Sequence, residues 1–443
     1  MTSSEFSALA SAYALNQGCE GCETFYAGGE AFEVNANAGE IDRYSVSREA
    51  GISVRVSYRG NLGYAYTERL DEPEKLVDRA IDNAKCIESE DNHPMQKKCG
   101  YAVINRSPSA LAKVGEQERI ALAKRLEQAA LEADSRIKRV VYCSVIYEAG
   151  SVHMENTQGL CADKQTDVSI VYVMPSAQQG EEVQTGFAFR MGADAADVEG
   201  CAREAVADAL DKFGGTPVDS GMYRVLLKPY AFGDLLSAFS SMFSADEAQK
   251  GCSLLANKEG ESIASSLVTL TDDPFDPAAP RAFDGEGTPC KTKAIIERGV
   301  LITLLHNLKT AAKAGVESTG NASRASAASP VGVAPTVLRV EPGDQSFEEL
   351  INTLQNGLII TELEGTHAGV DAISGDFSLK SAGFLVENGK LVRPVANITV
   401  AGNFIALLKG VVAVGNDIKY ALPQIGYFAS PSVLTERLSV AGN

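Results

Sequence analysis

The sequence predicts an α+β protein, in which N-terminal mixed α/β units with antiparallel sheets precede a larger β-rich C-terminal domain. A chain of 443 residues is too long for one ordinary hydrophobic core, so several domains are expected. Helical and β-type segments alternate as far as residue 218, whereas short apolar segments separated by glycine predominate beyond Asp272.

The first predicted domain is an α+β unit that covers residues 1–90. Its first helix is predicted from apolar residues at helical spacing: Phe6, Leu9, Tyr13 and Ala14. Gly18 follows as a stop signal, and residues 22–67 then contain β-type segments punctuated by glycine. A second amphipathic helix is predicted within residues 71–89.

A polar segment over residues 91–108 is predicted to be a linker, and His93 is predicted to be a solvated loop residue there. The second α+β domain is predicted over residues 109–218. It begins with a long helix over 109–135 and continues with β-type segments, in which His153 is expected to be one partner of a cross-strand pair.

The third domain is predicted over residues 219–443 and begins with a strand at 221–229. A stripe at helical spacing, typical of a core or a subunit interface, follows: Phe232, Leu235, Leu236, Phe239, Met242 and Phe243. Hairpins are predicted over 292–307 and over 383–395, where Asn388-Gly389 forms the turn. Ser346 and Glu349 predict a capping box before a short helix.

Composition excludes several classes of protein. With 40 Lys and Arg against 58 Asp and Glu, the net charge of −18 disfavours direct binding to nucleic acid. No apolar stretch reaches the length of a membrane helix, and the N-terminus lacks the basic region of a secretory signal. Nine scattered cysteines suit reduced thiols, so a cytoplasmic location is expected. The CxxC at Cys19 and Cys22 lacks a second ligand pair and is interpreted as structural.

Common catalytic and nucleotide-binding motifs are absent. The sequence contains no GxGxxG after a strand, no phosphate-binding P-loop, no GxSxG and no HExxH. His306 and His367 are each more typical of hydrogen-bonded structural histidines than of catalytic ones. Whether His367 activates Ser374 or Ser378 is left open by spacing alone. The glycines between Thr361 and Phe384 suit tight turns and close backbone approach.

Residues 284–324, which begin "DGEGTPCK", resemble the TldD/PmbA family, and so do residues 357–404, which begin "GLIITELEG". Residues 412–418 and 47–70 extend the resemblance over almost the whole chain. The resemblance implies a relationship to zinc-dependent peptidases that were historically called modulators of DNA gyrase.

The TldD branch of the family is implied to carry HExxxH after a strand, together with a C-terminal cysteine that completes a zinc site. In this sequence the matching positions are occupied by other residues in either register: Lys228, Pro229, Tyr230, Gly233 and Asp234. No cysteine follows Cys290. The chain therefore resembles the PmbA branch, also called TldE. No catalytic residue and no metal ligand are expected here, and zinc is expected in a TldD-type partner.

In terms of the family, residues 361–384 are a signature of the C-terminal β domain that shapes a groove or a subunit contact. The candidate residues of a peptide groove lie in three segments of the C-terminal half: His306, Asn321, Arg324, His367, Asp371 and Asp376.

The predicted function is that of a non-catalytic PmbA/TldE-like subunit in a cytoplasmic TldD-type metallopeptidase assembly. Its partner would be a TldD-type paralogue or a second copy, and its substrate an unfolded or small peptide. One alternative is a peptidase that is active alone, either through a metal held by His306, His367, Asp371 and Asp376 or through a serine activated by His367. The other alternative is a regulatory protein that binds DNA gyrase.

Overall fold

A computed structural model describes residues 1–87, 94–423 and 426–443. His93, predicted in the linker, lies outside the described residues, and residues 94–109 contain neither helix nor strand. The chain divides into two compact units. Unit 1 comprises residues 1–209, 281–290 and 307–332, and unit 2 comprises residues 210–280, 291–306 and 333–443.

The helices in chain order are α1 (Ser3–Asn16), α2 (Pro73–Cys86), α3 (Glu116–Ala133), α4 (Val198–Asp211), α5 (Pro229–Ala238), α6 (Ala245–Gln249), α7 (Leu308–Ala314), α8 (Phe347–Leu354), α9 (Thr366–Gly369) and α10 (Phe404–Lys409). Short 3₁₀ helices lie at Gly192–Ala196 and Ser240–Phe243.

The strands from the N-terminus to residue 301 are β1 (Gly21–Asn37), β2 (Glu40–Tyr58), β3 (Asn61–Thr67), β4 (Ile137–Asn156), β5 (Cys161–Gln179), β6 (Glu182–Thr185), β7 (Ala188–Met191), β8 (Gly221–Leu227), β9 (Leu270–Asp272), β10 (Lys293–Glu297) and β11 (Val300–Leu301).

The remaining strands are β12 (Ala322–Ser323), β13 (Gly332–Val333), β14 (Val337–Val340), β15 (Gly357–Glu364), β16 (Val370–Asp371), β17 (Asp376–Glu387), β18 (Lys390–Asn403), β19 (Val411–Val414), β20 (Lys419–Tyr420), β21 (Tyr427–Ser430) and β22 (Val433–Ala441).

The large sheet of unit 1 is antiparallel and has the order β3-β2-β1-β4-β5-β6, with β7 paired to β5. The sheet therefore runs through both of the predicted N-terminal domains. Their boundaries at residues 90 and 109 fall inside unit 1.

Helix α1 buries Phe6, Ala10 and Ala14 against the strands, whereas Leu9 is half exposed to solvent, so its predicted place on the apolar face was wrong. The buried side chains recur every four residues, so they form a stripe beside the one that was predicted. Cys19 and Cys22 lie in the same apolar core, where burial raises the pKa of Cys22 to about 12. This environment agrees with a structural role for the CxxC.

The predicted helix over residues 109–135 begins later than expected, at Glu116. The reason is that the preceding backbone is used in tertiary hydrogen bonds. The Ser109 N–H donates to the Asp167 carboxylate, and the Leu111 N–H donates to the Ser169 hydroxyl. His153 forms the predicted cross-strand pair, since its Nδ1 lies 2.8 Å from an Asp163 oxygen on β5.

Unit 2 is rich in strands, and its described residues form two large sheets. One has the order β11-β10-β9-β14-β21-β20. The other contains a closed ring of five strands in the order β15-β8-β22-β18-β17. The ring closes because β15 pairs with both β8 and β17. The predicted stripe lies on α5 and the following 3₁₀ helix, and all six of its side chains are buried in the core of this unit.

The hairpins, the turn and the helix cap that were predicted in the C-terminal half are confirmed by the structure. Asn388 and Gly389 both have positive φ at the turn between β17 and β18. Strands β10 and β11 form the other hairpin, and the Ser346–Glu349 capping box begins α8. The α+β fold with a β-rich C-terminal portion is thus confirmed. No helix among the described residues combines the length and the apolar character that crossing a membrane requires.

Candidate functional site

The strand-to-helix junction of β8 and α5 is the part of unit 2 that contains the degenerate motif positions. Val225, Leu226 and Leu227 are buried and pair in parallel with residues 358–360 of β15. The Lys228 N–H continues this pairing by donating to the Ile360 carbonyl at 2.9 Å. Lys228 is extended and Pro229 opens the helix, which suits proline because the first helical N–H needs no partner inside the helix.

The side chains at this junction differ in their exposure. Pro229 and Gly233 are buried, whereas Lys228, Tyr230 and Asp234 are half-buried. The Lys228 ammonium lies 5.1 Å from the centre of the Phe347 ring, which is within range of a cation–π contact. The ring of Tyr230 makes a similar contact with Lys419 at 5.3 Å.

Gly233 has no space for a side chain. A Cβ on this residue would lie 2.9 Å from the Cβ of Ala421, which is itself buried. Two carbon atoms in van der Waals contact need about 3.5–4.0 Å, so any larger residue would displace α5 from the segment around Ala421. The close approach of helix and segment requires glycine here.

Among the ionisable groups of the junction, Asp234 has a shifted pKa. Burial raises the pKa of Asp234 to about 7, and the negative charge of Glu362 adds to the effect. Glu362 itself accepts a hydrogen bond from the Lys212 ammonium at 2.7 Å. Asp234 can therefore exchange a proton near neutral pH, a property of general acids and bases as well as of buried structural carboxyls.

The candidate groove residues around the segment 361–384 lie on one hairpin of unit 2. Asp371 and Asp376 are directly opposite each other in β16 and β17. Asp371 accepts from the backbone N–H groups of Ile373 and Ser374, which lowers its pKa, and Asp376 accepts from Asn403 at 2.9 Å. Both carboxylates are exposed, and the contacts of Asp371 with the backbone that follows it are typical of an Asx turn.

His367 lies on the one-turn helix α9 before this hairpin and is exposed. Ser374, which with Ser378 is one of the two hydroxyls left open as partners of His367, accepts from the Asp376 N–H at 3.3 Å. The glycines of the segment have the expected roles. Gly365 and Gly375 have positive φ, and a Cβ on Gly383 would lie 1.8 Å from the Ile359 carbonyl oxygen.

The other candidate groove residues lie elsewhere. His306 belongs to unit 2 and is buried beyond the end of β11. Asn321 belongs to unit 1 and is fully buried, and its Oδ1 accepts from the Thr319 hydroxyl at 2.7 Å. Among the described ranges 1–87, 94–423 and 426–443, no three His, Cys, Asp or Glu side chains are arranged to hold a metal ion. The proposed set of His306, His367, Asp371 and Asp376 is thus not assembled there.

Arg324 lies in a buried network of ion pairs within unit 1. Its guanidinium donates to Glu23 at 2.5 Å and lies 4.6 Å from the centre of the Phe25 ring. Glu23 also accepts from Arg55 at 2.8 Å, and Arg55 donates to Glu286 at 3.0 Å. Burial alone would raise the pKa of Glu23, but the two guanidinium groups lower it below its ordinary value.

Sequence reasoning had singled out only Arg324 from this network. Glu23, Arg55 and Glu286 are far apart in the chain, and no local pattern marks them as partners. Glutamate and arginine on predicted strands that are otherwise apolar are the one signal that could have drawn attention to them.

Comparison with known families covers almost all of the chain. Residues 220–442 match the PmbA/TldA metallopeptidase C-terminal domain, residues 22–84 match domain 1 of the same family, and residues 110–213 match its central domain. The chain belongs to the PmbA/TldD family. The resemblance found in the sequence is thereby confirmed.

Two relatives in the family are named as metalloproteases. The chain is 29% identical to a metalloprotease of Methanothermobacter thermautotrophicus over 87% of this chain and 85% of the relative. It is 26% identical to the metalloprotease PmbA of Escherichia coli O157:H7 over 96% and 92% of the two chains.

Two solved structures of the family share the fold over the whole length. A Thermotoga maritima protein, described as a candidate modulator of a DNA gyrase, is 32% identical with a TM-score of 0.92 and covers 99% of this chain and 100% of its own. TldE from Thermococcus kodakarensis is 22% identical with a TM-score of 0.89 and covers 99% of both chains. At that identity, the second likeness supports the fold alone.

The PmbA/TldD relatives that are named as metalloproteases imply a metal in the family, and the donor atoms of this chain can be compared with that expectation. The β8–α5 junction has the strand-to-helix context in which the TldD-type motif is expected. At the motif positions, however, it presents an ammonium group, a proline ring, a phenol, a glycine and a single carboxyl group. These residues do not fit a zinc site, because zinc in proteins is held by three or four Cys, His, Asp or Glu side chains, and Asp234 is the one such donor at these positions.

Proposed function

We propose that this chain is the metal-free subunit, of the PmbA or TldE type, in a two-component cytoplasmic metallopeptidase. Its partner is a zinc-bearing TldD-type paralogue, and the assembly acts on unfolded or small peptides. The proposal rests on one observation. The β8–α5 junction has the strand-to-helix context of the metal motif, whereas Gly233, the second ligand position in one of the two registers, leaves no room for a histidine.

Further features of unit 2 support a role in binding rather than in metal chemistry. The exposed hairpin with Asp371 and Asp376 offers carboxylates and strand edges near the surface. An extended peptide can bind by adding a strand to such an edge. Whether His306, Asn321, Arg324 and His367 take part in a peptide groove remains a prediction from the sequence.

The proposal is tested with the purified chain, a TldD-type paralogue from the same organism, and an unstructured peptide as substrate. We expect no cleavage by this chain alone, a stable complex by light scattering, and cleavage by the complex. As a control, the paralogue carries glutamine in place of its motif glutamate. That complex should form but should not cleave. Cleavage by this chain alone, or failure to bind the paralogue, would overturn the proposal.

A second candidate function is suggested by the Thermotoga maritima relative that is described as a modulator of a DNA gyrase. A chain with a net charge of −18 can bind a basic protein surface electrostatically. Binding to gyrase that weakens steeply with increasing salt would favour this function, and the absence of binding at low salt would exclude it.

A further inference from the structure

Two positive side chains in unit 1, Lys164 and Arg281, form no ion pair with any residue in the described part of the chain. Lys164 lies on β5 opposite Val152 of β4. On this face of the sheet, Val152, Met154 and Ala162 contribute to a small apolar cluster that also contains Phe283. Arg281 stands two residues before Phe283 in the segment that covers this face.

The segment that carries Arg281 is held firmly in place. Asp284 accepts three backbone hydrogen bonds, from Glu286, Thr288 and Ala322, each at 2.9 Å. The Cys290 N–H donates to the Ala282 carbonyl, so that residues 282–290 form a closed turn. The backbone from which the Arg281 side chain projects is therefore fixed at the base of this turn.

Neither cation has a hydrogen-bonded or ion-paired partner among the residues that the structure describes. The Nε and Nη2 atoms of Arg281 are buried and make no hydrogen bond to any described residue. No hydrogen bond or ion pair joins the Lys164 ammonium to any residue in the described ranges either. Both side chains border the same apolar cluster, because Lys164 pairs with Val152 and Arg281 directly precedes Ala282, and both of these neighbours pack against it. Burial lowers the pKa of Lys164 to about 8, and the positive charge of Arg281 contributes to this effect.

The other charged groups near Lys164 are already engaged. Arg106 contacts the Asp167 carboxylate at 2.5 Å and also donates to the Gln165 carbonyl at 2.7 Å. The carboxyl group of Asp284 is occupied by its three backbone donors, and burial raises its pKa to about 6. Charged groups that are shielded from solvent are usually paired, so two cations that border one apolar cluster without a described partner favour an anionic ligand there.

We propose that Lys164 and Arg281 form a binding site for one carboxylate. The adjacent Nε and Nη2 of Arg281 form the side of the guanidinium that can bind both oxygens of a planar carboxylate, and the ammonium supplies a third donor. One negative charge suits the site better than two, because Asp284 already supplies negative charge nearby. The carboxylate belongs either to the C-terminus of a peptide or to a small organic acid.

The site is tested by calorimetric titration of the full chain near neutral pH with four probes: N-acetyl-trialanine, its C-terminal amide, acetate and inorganic phosphate. We expect the free peptide to bind and its amide to bind at least about tenfold more weakly, because charge-assisted hydrogen bonds are lost. Acetate that binds as well as the peptide identifies a small acid as the ligand, and weaker acetate binding identifies the peptide C-terminus. Tighter binding of phosphate, or no binding of either carboxylate, overturns the proposal.

Two variants and one control localise the binding. Arg281→Gln and Lys164→Gln should each weaken carboxylate binding about tenfold or more. Arg48→Gln, which removes an exposed guanidinium from β2 of the same sheet, should leave it unchanged. Carboxylate binding by either site variant with the affinity of the unaltered chain would contradict the assignment.

The unaltered protein provides a test that does not depend on the folding of a variant. Carboxylate affinity should fall as the pH rises above about 8, because Lys164 then loses its proton. Affinity that stays constant from pH ~7 to pH ~9.5 would overturn the proposal, since an unperturbed lysine remains charged over most of that range.

Discussion

The buried network of unit 1 and the β8–α5 junction of unit 2 both place charge in the interior, but they treat it in opposite ways. In the network, Glu23 lies between Arg55 and Arg324, and every charge has a partner of opposite sign. At the junction, burial raises the pKa of Asp234, and the negative charge of another carboxylate, Glu362, raises it further. The removal of one partner from a buried charge network is therefore costly, whereas a carboxyl group near like charge is kept ready to exchange a proton.

Glu23→Ala tests the paired region and should have the largest effect. It leaves two buried guanidinium groups without their common partner, so the free energy of unfolding should fall by about 3–5 kcal/mol. Chemical denaturation followed by circular dichroism measures this loss. Glu30→Ala is the matched control on the same strand, because Glu30 forms an exposed pair with Arg48 and should contribute less than about 1 kcal/mol. Equal effects of the two variants would contradict the comparison.

Gly233→Ala tests the packing of the junction. Alanine normally stabilises a helix interior by about 1 kcal/mol relative to glycine. Here its Cβ would meet Ala421 at 2.9 Å, so we expect a net loss of about 1–3 kcal/mol in the same assay. Gly100→Ala is the control, since a methyl group on Gly100 would meet no atom within 4 Å beyond its own chain neighbours. A Gly233→Ala variant more stable than the parent would show that the junction has room for a side chain.

Asp234→Asn tests the unpaired carboxyl group through the pH dependence of stability. The pKa of Asp234 is about 7 in the folded chain and about 4 when unfolded, so the folded state binds the extra proton between these values. Its contribution to stability therefore decreases as the pH rises from about 4 to about 7 and is constant above. The expected change, after allowance for solvent screening, is about 1–2 kcal/mol.

The same pH titration distinguishes the two regions, because the contribution of Glu23 to stability changes with pH in the opposite direction from that of Asp234. The pKa of Glu23 is lowered in the folded chain, so its stabilisation is present above the unfolded value and is lost as the pH falls through the folded value. Asp234→Asn should reduce the fall in the free energy of unfolding between pH ~4 and pH ~7. It should leave the loss of stability at lower pH, to which Glu23 contributes, unchanged. An unchanged curve in the middle range would show that Asp234 has an ordinary acidity.

Local features were predictable from the sequence because their causes are local. The Asn388-Gly389 turn and the Ser346–Glu349 cap depend on residues within a few positions of each other. The stripe on α5 was found from its period, although the chain changes to a 3₁₀ helix after Phe239, a detail that packing decides. The start of α3 was missed because side chains on β5 bind the backbone before it.

The candidate site was only partly predictable. The replacement of the motif residues could be recognised from the family pattern, but the closeness of Gly233 to Ala421 joins residues 188 positions apart. The shifted acidity of Asp234 likewise depends on Glu362 and on burial, neither of which a sequence pattern specifies. The partners of Arg324 arise in the same way, from the meeting of distant segments within unit 1.

The most direct test of the metal-free role is the zinc content of this chain, purified alone and in complex with a TldD-type paralogue, after mild chelation and dialysis. We predict zinc far below stoichiometric amounts in the chain alone and stoichiometric zinc in the complex. Stoichiometric zinc in the chain alone would contradict this role, and would mean that residues other than those at the β8–α5 junction form a metal site.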